Sequence, residues 1–181
     1  SDNLKDASWN FVGNPYLSYY DMADMNYSAP VTIWDGSKYV AIRPGDDVYH
    51  FAPYEAFFVQ KPESQNTVGF DGEQQMTSKQ SKAKKEKQSE ARKVMMSNMN
   101  AKMNPRKLVN LTLSNSEQGD GTRIVFNNAQ SMAYEADCDA AKFETQGVVQ
   151  LYSLGEGNVR YAINERPEDK GVVKLGYIAP S

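Results

Sequence analysis

The chain contains a single cysteine and a single histidine, the two residue types on which most nucleophilic and metal chemistry depends. A Cys–His pair would have to join Cys138 to His50, and a Ser–His–acid triad has only His50 as its base. One cysteine forms no disulfide within the chain and no multi-thiolate zinc site. We interpret both residues as packing or surface residues, and we predict that the protein is not an enzyme.

Carboxylates offer one other route to catalysis. A glycoside hydrolase needs only two of them, about 5 to 9.5 Å apart, and the chain has 23 acidic residues. No motif singles out a pair, so the sequence assigns no catalytic residues.

An acidic series near the only cysteine has the spacing of a possible cation site. Glu135, Asp137 and Asp139 alternate along the chain, which places three carboxylates on one side if the segment is extended. Oxygen ligands suit a hard cation, although the EF-hand pattern is absent. The series therefore predicts either a calcium site or a solvated acidic loop, and we expect no other cofactor.

A segment rich in tyrosine is the candidate ligand surface. Tyr16, Tyr19, Tyr20 and Tyr27 cluster within residues 16–27, where no clean periodicity is visible. Exposed rings there would stack on sugar faces and bind glycans, whereas buried rings would cap the core. We expect this segment to form a loop or a single helical turn.

The charge is divided unevenly along the chain. The net charge is −3, but residues 78–107 carry ten Lys or Arg against two Glu, so this part is at +8 and the remainder at −11. Residues 74–107 are interpreted as a partly helical or disordered insertion between strands, solvated or serving as an arm for an anionic partner. Because it interleaves no aromatic residues, we expect no nucleic-acid partner. No apolar run reaches the roughly 18 residues of a membrane span, so no transmembrane segment is predicted.

The elements that must position these residues are short strands. Apolar runs separated by Gly, Pro, Asn and Asp give about ten strands, spaced roughly 8 to 12 residues apart. Residues 31–34 and 38–42 flank Asp35–Gly36 and predict a hairpin. The pattern indicates an all-β, antiparallel β-sandwich or jelly-roll-like fold over residues 1–181, a single domain with the insertion at 74–107.

Several local expectations accompany this fold. Residues 67–70 are expected to pair with residues 56–60, and Gly119–Asp120–Gly121 to form a turn. The neighbours Phe57 and Phe58 should place one ring on each face of their strand, so both faces should be covered. Trp9 and Trp34 are interpreted as core or inter-sheet aromatics. A short helix is expected at residues 140–143, with Asp139 as its N-cap.

Six motifs in order resemble a known family. They are WNFVGNPY (9–16), TIWDGSKYVA (32–41), APYEAFFVQ (52–60), TRIVFNNAQSMAYEADCDAAKF (122–143), QLYSL (150–154) and YAINERP (161–167). Together they resemble a β-sandwich domain found near the C-terminal ends of secreted and cell-surface proteins of Bacteroidetes. The resemblance implies an extracellular module without a settled biochemical activity, and it supplies no catalytic residues.

The same resemblance shapes the expected function. Domains of this family usually continue with further strands beyond the equivalent of residues 175–180, so the resemblance implies either that this chain is a fragment or that its terminal strands come from elsewhere. An edge left unpaired in this way would invite pairing with another chain, which makes a strand-mediated oligomer one alternative. The predicted function is a non-enzymatic structural or adhesion module at the cell surface, whose partners are other domains or chains of a surface protein assembly. The alternative is a carbohydrate-binding module that uses the tyrosines of residues 16–27.

Overall fold

The computed structural model describes residues 2–6, 9–76, 106–169 and 171–180. Their regular structure consists of short strands and three 3-10 turns, which confirms the predicted all-β, sandwich-like fold. The strands are β1 Asp2–Asn3, β2 Trp9–Gly13, β3 Tyr19–Asp21, β4 Val31–Trp34, β5 Tyr39–Ile42, β6 His50–Phe51, β7 Ala56–Gln60, β8 Thr67–Val68, β9 Gln75–Met76, β10 Lys107–Ser114, β11 Gly119–Phe126, β12 Ala140–Ala141, β13 Gln150–Leu154, β14 Arg160–Arg166 and β15 Lys174–Ile178. The 3-10 turns are Met22–Asp24, Gly72–Gln74 and Glu156–Asn158.

The strands form four sheets. A four-stranded antiparallel sheet has the order β2-β7-β4-β5 and is called the middle sheet. Two small sheets, β6-β3-β9 and β1-β8, are the cap sheets. A six-stranded sheet, the outer sheet, has the order β10-β11-β14-β13-β15, with β12 also paired to β14. Its β11–β14 pair is parallel, so the expectation of a purely antiparallel fold fails at this one pair.

The main core lies between the middle sheet and the cap sheets. Apolar side chains on one face of the middle sheet pack against Tyr20, Met22, Phe51 and Val68. The contributing side chains of the middle sheet are Val12, Val31, Ile33, Phe57 and Val59. Phe57 is 1% exposed and stacks on Phe51 with ring centroids 4.4 Å apart. Burial of these large side chains is the principal force that holds the layers together.

The opposite face of the middle sheet contacts the outer sheet. Phe58 points away from the main core and packs on Phe143, which follows β12, with ring centroids 4.9 Å apart. Ala41 of β5 packs against a second cluster made of Val125, Ala140, Ala162 and Ile163. The middle sheet is therefore covered on both faces, as Phe57 and Phe58 predicted.

The predicted hairpin is confirmed. Strands β4 and β5 pair from Val31↔Ile42 to Trp34↔Tyr39, and Gly36 takes a φ of 106° that favours glycine. Asp35 shapes the loop because its carboxylate accepts the backbone N–H groups of Ser37 and Lys38, both at 2.9 Å.

Three local expectations are wrong. Thr67–Val68 pairs with Asp2–Asn3, since β2 and β4 already occupy both edges of β7. Residues 140–143 form no helix; Ala140–Ala141 pairs with β14, and ladder hydrogen bonds override the helix preference of alanine. Gly119–Asp120–Gly121 belongs to β11, and the turn lies at residues 115–118, where the Asn115 side chain accepts the N–H groups of Glu117 and Gln118.

The structure describes only the two ends of the basic insertion, residues 74–76 and 106–107. Gln75–Met76 forms β9 and Lys107 begins β10, while residues 77–105 lie outside the described residues. The predicted helical or disordered character of residues 74–107 therefore stays a prediction. Within the described ranges, no helix has the length and apolarity to cross a membrane.

Candidate functional site

A cleft of about 570 Å³ opens between the middle and outer sheets. One wall is β5 with the loop that precedes it, and the other is the hairpin of β10 and β11. Gly119 and Gly121 line the β11 part of the second wall, and at these two positions no side chain projects into the cleft. They share one face of β11 with Arg123, which bonds Asp47 just beyond β5, so this face points toward the middle sheet.

Glycine at position 121 also meets a steric requirement. A Cβ there would lie 3.0 Å from the backbone oxygen of Leu111 on the paired strand β10. The absence of a side chain at Gly121 therefore explains both the close approach of β10 and β11 and the open wall of the cleft at this position.

Two lysines enter the cleft from opposite walls. Lys38 reaches from the β4–β5 loop and donates a hydrogen bond to the backbone oxygen of Gly119. Lys142 donates to the carboxylate of Asp120, and the two side chains are only 3% and 4% exposed. Burial lowers the pKa of Lys142 and the positive charge of Lys38 lowers it further, against the opposing effect of Asp120. The cleft therefore holds one buried ion pair, between Lys142 and Asp120, and a second lysine, Lys38, on the opposite wall.

The β10 wall is polar. Asn110, Thr112 and Ser114 alternate along the strand and line the cleft. Asn110 also accepts a hydrogen bond of 2.9 Å from Nε of Arg123. The described lining contains neither histidine nor cysteine, so its chemistry is hydrogen bonding and charge pairing, which suits binding of a polar ligand.

The single histidine and cysteine lie away from this cleft. His50 is on β6 in a cap sheet, with Nε2 3.7 Å from Oδ2 of Asp21. Cys138 is buried near the outer sheet; burial raises the pKa of its thiol to about 12, and the charges of Asp139 and Glu165 contribute. A thiol with this pKa remains protonated and unreactive at neutral pH.

A network of buried charges joins the layers beside the cleft. Glu165 on β14, with 1% side-chain exposure, accepts hydrogen bonds from Arg43 and from Arg106, the latter at 2.7 Å. Arg106 also bonds Asp46 through two nitrogens, at 2.8 and 2.9 Å. Arg123 pairs with Asp47 in the same bidentate way. Arg43, Asp46 and Asp47 follow β5, so the network ties the middle sheet to the outer sheet.

The four predicted tyrosines do not form one exposed platform. Tyr20 is fully buried and donates its hydroxyl hydrogen bond to the Asp24 carbonyl at 3.0 Å. Tyr27 is 3% exposed and donates to the Gln60 carbonyl at 2.7 Å. Tyr16 is half-buried and stacks on Tyr20 with centroids 6.0 Å apart. Only Tyr19, at 38%, is exposed, so of the two predicted alternatives the tyrosines match the cap over the core and do not form a shared sugar-stacking surface.

The predicted calcium ligands are each engaged elsewhere. Asp137 accepts the N–H groups of Glu63 and Ser64, at 2.8 and 3.1 Å. Asp139 accepts those of Glu135 and Glu165, at 2.9 and 2.7 Å. The Glu135 side chain accepts a hydrogen bond from Ser131. In the part of the chain that the structure describes, no three acidic, histidine or cysteine side chains are grouped to hold a metal ion, so Glu135, Asp137 and Asp139 form no oxygen cage here.

A connected row of aromatic rings, exposed at its two ends, lies on the face of the middle sheet that is opposite the main core. This aromatic surface consists of Trp9, Phe11, Trp34, Tyr39, Phe58 and Phe143. The rings follow one another in the order Phe11, Phe58, Phe143, Tyr39, Trp34. The centroids of successive rings are 4.9, 4.9, 4.3 and 5.0 Å apart. Its two ends are open to solvent, because Phe11 is 68% and Trp34 47% exposed. The expectation of a core position is therefore wrong for Trp34, whereas Trp9 packs between the sheets on Phe143.

Sequence reasoning missed the residues that build the cleft. Lys38 and Lys142 carry no local signature, and their partners are 81 and 22 positions away. The two glycines of β11 predict a turn, but Gly119 pairs with Ser114, so the strand that partners β10 already begins at the first glycine.

Comparison with known proteins identifies no relationship: no family model matches, and neither does any curated protein or solved structure. The resemblance drawn from the six motifs stays a prediction.

Proposed function

We propose that the chain is a non-enzymatic structural or adhesion module of an extracellular bacterial surface protein. The observation that supports this proposal is the aromatic surface, whose ends at Phe11 and Trp34 are open to solvent. Aromatic side chains are enriched in protein interfaces because each contributes a large apolar area at a low cost in conformational entropy. Two large exposed rings at the ends of one connected aromatic cluster give a partner apolar area to bury.

The partner is another domain or chain of the surface assembly. Phe11 and Trp34 lie at opposite ends of the linked rings, and the rings between them are half-buried and anchored by Phe143. A protein partner that covered both ends would bury the rings of Phe11 and Trp34, which change most in exposure, and truncation of aromatic side chains that an interface buries weakens binding.

The body behind this surface is suited to a structural role. The ion pairs of Arg43 and Arg106 with Glu165 connect the middle sheet to the outer sheet, and the side chain of Glu165 is almost completely buried. Removal of one partner from such a buried pair is costly, so the layers resist separation. A rigid body keeps the aromatic surface in one shape, which lowers the entropic cost of association.

Binding to whole cells tests the proposal. The fluorescently labelled protein is titrated onto intact Bacteroidetes cells and bound protein is measured by flow cytometry, for the parent chain and the double variant Phe11→Ser/Trp34→Ser. We expect saturable binding by the parent and a loss of affinity of about tenfold or more in the variant. Leu17→Ser/Val172→Ser is the matched control, since these side chains are 80% and 86% exposed outside the aromatic surface.

Two results would contradict the proposal. One is equal binding, or no saturable binding, for the parent and the double variant when both melt at the same temperature. The other is turnover by the parent chain in a panel of glycoside, ester and peptide substrates, which would make it an enzyme.

A further inference from the structure

We propose that the cleft between β5 and the β10–β11 hairpin binds a short oligosaccharide that carries a carboxylate. This site is separate from the aromatic surface and adds a ligand to the adhesion function. It depends on the shape of the cleft, the hydrogen-bonding groups on both walls and the position of Lys38.

The cleft has the size of a small-molecule site. Its volume of about 570 Å³ lies within the roughly 300 to 1,000 Å³ typical of ligand pockets. Gly119 and Gly121 have no side chains, so a ligand can approach the backbone of β11 closely at these two positions.

The β10 wall offers groups that match sugar hydroxyls. Thr112 and Ser114 each supply a hydroxyl that both donates and accepts, and Asn110 supplies an amide. Thr112 and Ser114 are exposed, so they reach a ligand without rearrangement of the strand.

The β5 wall offers backbone groups. Asp35 N–H bonds the Lys38 carbonyl at the end of the hairpin, and the N–H of Tyr39 points instead to the Thr145 hydroxyl at 3.4 Å, away from β4. Because the direction alternates along an antiparallel strand, Ala41 also turns its N–H and C=O away from β4. Ala41 lines the cleft, and its N–H and C=O are directed away from β4 at the edge of the middle sheet, so this wall carries one backbone donor and one acceptor that are not used by β4.

Charge selects an acidic saccharide. Lys142 and Asp120 neutralise each other in the buried part of the cleft. Lys38 is paired less closely: its ammonium bonds the Gly119 carbonyl, and its ion pair with Oδ2 of Asp35 is longer, at 3.9 Å, without a hydrogen bond. An ammonium group has three donors, so Lys38 can also donate to a ligand carboxylate.

An extended peptide fits less well than a saccharide. A peptide strand added to β5 would direct its side chains alternately to the two faces, and specificity in that mode comes from pockets for those side chains. On the facing wall, the residues that share the cleft-facing side of the hairpin are Thr112, Ser114, Gly119 and Gly121, which have small side chains or none. Leu111 and Leu113 also line the cleft but alternate to the other side of β10, so this side offers a peptide no large apolar side chains to pack against.

Calorimetric titration tests the site. The probes are tetragalacturonate, the neutral galactotetraose and the peptide Thr-Val-Thr-Val-Thr. We expect tetragalacturonate to bind at least about tenfold more tightly than galactotetraose, with an affinity that falls as sodium chloride is added. Lys38→Gln should weaken tetragalacturonate binding about tenfold or more. Lys174→Gln, an equal loss of charge on β15 at the far edge of the outer sheet, should leave it unchanged.

A second variant covers the case in which Lys38→Gln lowers the melting temperature. Thr112→Trp places a ring in the cleft from an exposed position, and we expect it to abolish binding while the fold is retained. The inference fails if neither saccharide binds at millimolar concentration, if Lys38→Gln and Thr112→Trp both bind like the parent, or if the peptide binds in place of the saccharides. Phe11→Ser/Trp34→Ser should bind tetragalacturonate normally, so failure of the adhesion proposal and failure of this inference give different results.

Discussion

The carboxylate of Asp139 accepts the backbone N–H of Glu165 at 2.7 Å. Asp139 therefore holds in place the strand residue whose own side chain bonds Arg43 and Arg106. Its second oxygen accepts the N–H of Glu135 at 2.9 Å, which closes the loop that leads to β12. One buried carboxylate thus organises both the loop and the charge network, and its protonation state should affect the stability of the whole layer.

Asp139 should make the protein less stable as the pH rises toward neutrality. Burial raises its pKa from 3.8 to about 7. The two backbone hydrogen bonds oppose this shift, and the negative charges of Glu165 and Glu135 add smaller contributions that raise the pKa. Because the folded pKa is above the unfolded one, the stabilisation is complete below 3.8 and is lost as the pH rises through about 7. Relative to Asp139→Asn, the wild type should lose about 2–4 kcal/mol in free energy of unfolding between pH 4 and 8.

Urea denaturation of both proteins across this pH range measures the difference. Asparagine has a similar shape but does not titrate, so the other ionisable groups cancel in the comparison. A difference that stays constant from pH 4 to 8 would contradict the raised pKa, as would a carbon-13 titration of the Asp139 side chain with a midpoint near 4.

Glu165 should contribute stability with the opposite pH dependence. Burial disfavours its charged form, but the Arg106 hydrogen bond, the Arg43 charge and the Asn127 hydrogen bond together hold its pKa below the usual range. The stabilisation is therefore present above the ordinary pKa of glutamate and is lost as the pH falls through the lowered one. At pH 7, Glu165→Gln leaves Arg43 and Arg106 without their buried anion and should lower the free energy of unfolding by about 3–5 kcal/mol.

Glu168→Gln is the matched control for this prediction. Glu168 pairs with Lys107 at 2.7 Å, but the two side chains are 49% and 59% exposed. Solvent screens such a pair, so we expect a change within about 1 kcal/mol. Equal effects of the two substitutions in urea denaturation would show that the Glu165 network does not connect the layers energetically.

Local signals predicted local structure well. The β4–β5 hairpin followed from Asp35–Gly36, because the loop needs a positive φ at Gly36 and side-chain acceptance by Asp35. Residues 108–113 alternate between apolar and mostly polar side chains, which is the pattern of a strand, and they lie in β10. The same reasoning failed at Gly119 and Gly121, because glycine marks turns as well as strands that need close backbone approach.

Relationships between distant residues left no local trace. Arg43 and Glu165 are 122 positions apart, and Lys38 and Gly119 are 81 apart. In β3, neighbouring tyrosines face opposite ways, so Tyr20 is fully buried and Tyr19 exposed. A strand of only three residues shows no alternation that would have distinguished them from the sequence. The cleft is built by contacts between residues far apart in the sequence, whereas the all-β class follows from signals between neighbouring residues.

The exposed corner before β7 stores backbone strain that a substitution should release. Tyr54 has a φ of 57° although its ring is 64% exposed, and Glu55 N–H bonds the Ala52 carbonyl at 3.0 Å around Pro53 and Tyr54. This arrangement fits a type II turn, in which the third residue favours glycine. The turn persists because the Glu55 carboxylate also accepts the Ala52 N–H at 2.7 Å. Tyr54→Gly should therefore raise the free energy of unfolding by about 0.5–1 kcal/mol, since the relief of strain exceeds the added entropy of the unfolded chain.

Tyr177→Gly separates relief of strain from loss of an exposed ring. Tyr177 is 68% exposed but lies in β15, where glycine should cost about 0.5–1 kcal/mol. In both thermal and urea denaturation, the midpoint should rise for Tyr54→Gly and fall for Tyr177→Gly. If Tyr54→Gly destabilised the protein as much as Tyr177→Gly, the left-handed backbone at Tyr54 would carry no strain, and its ring would instead stabilise the corner through packing.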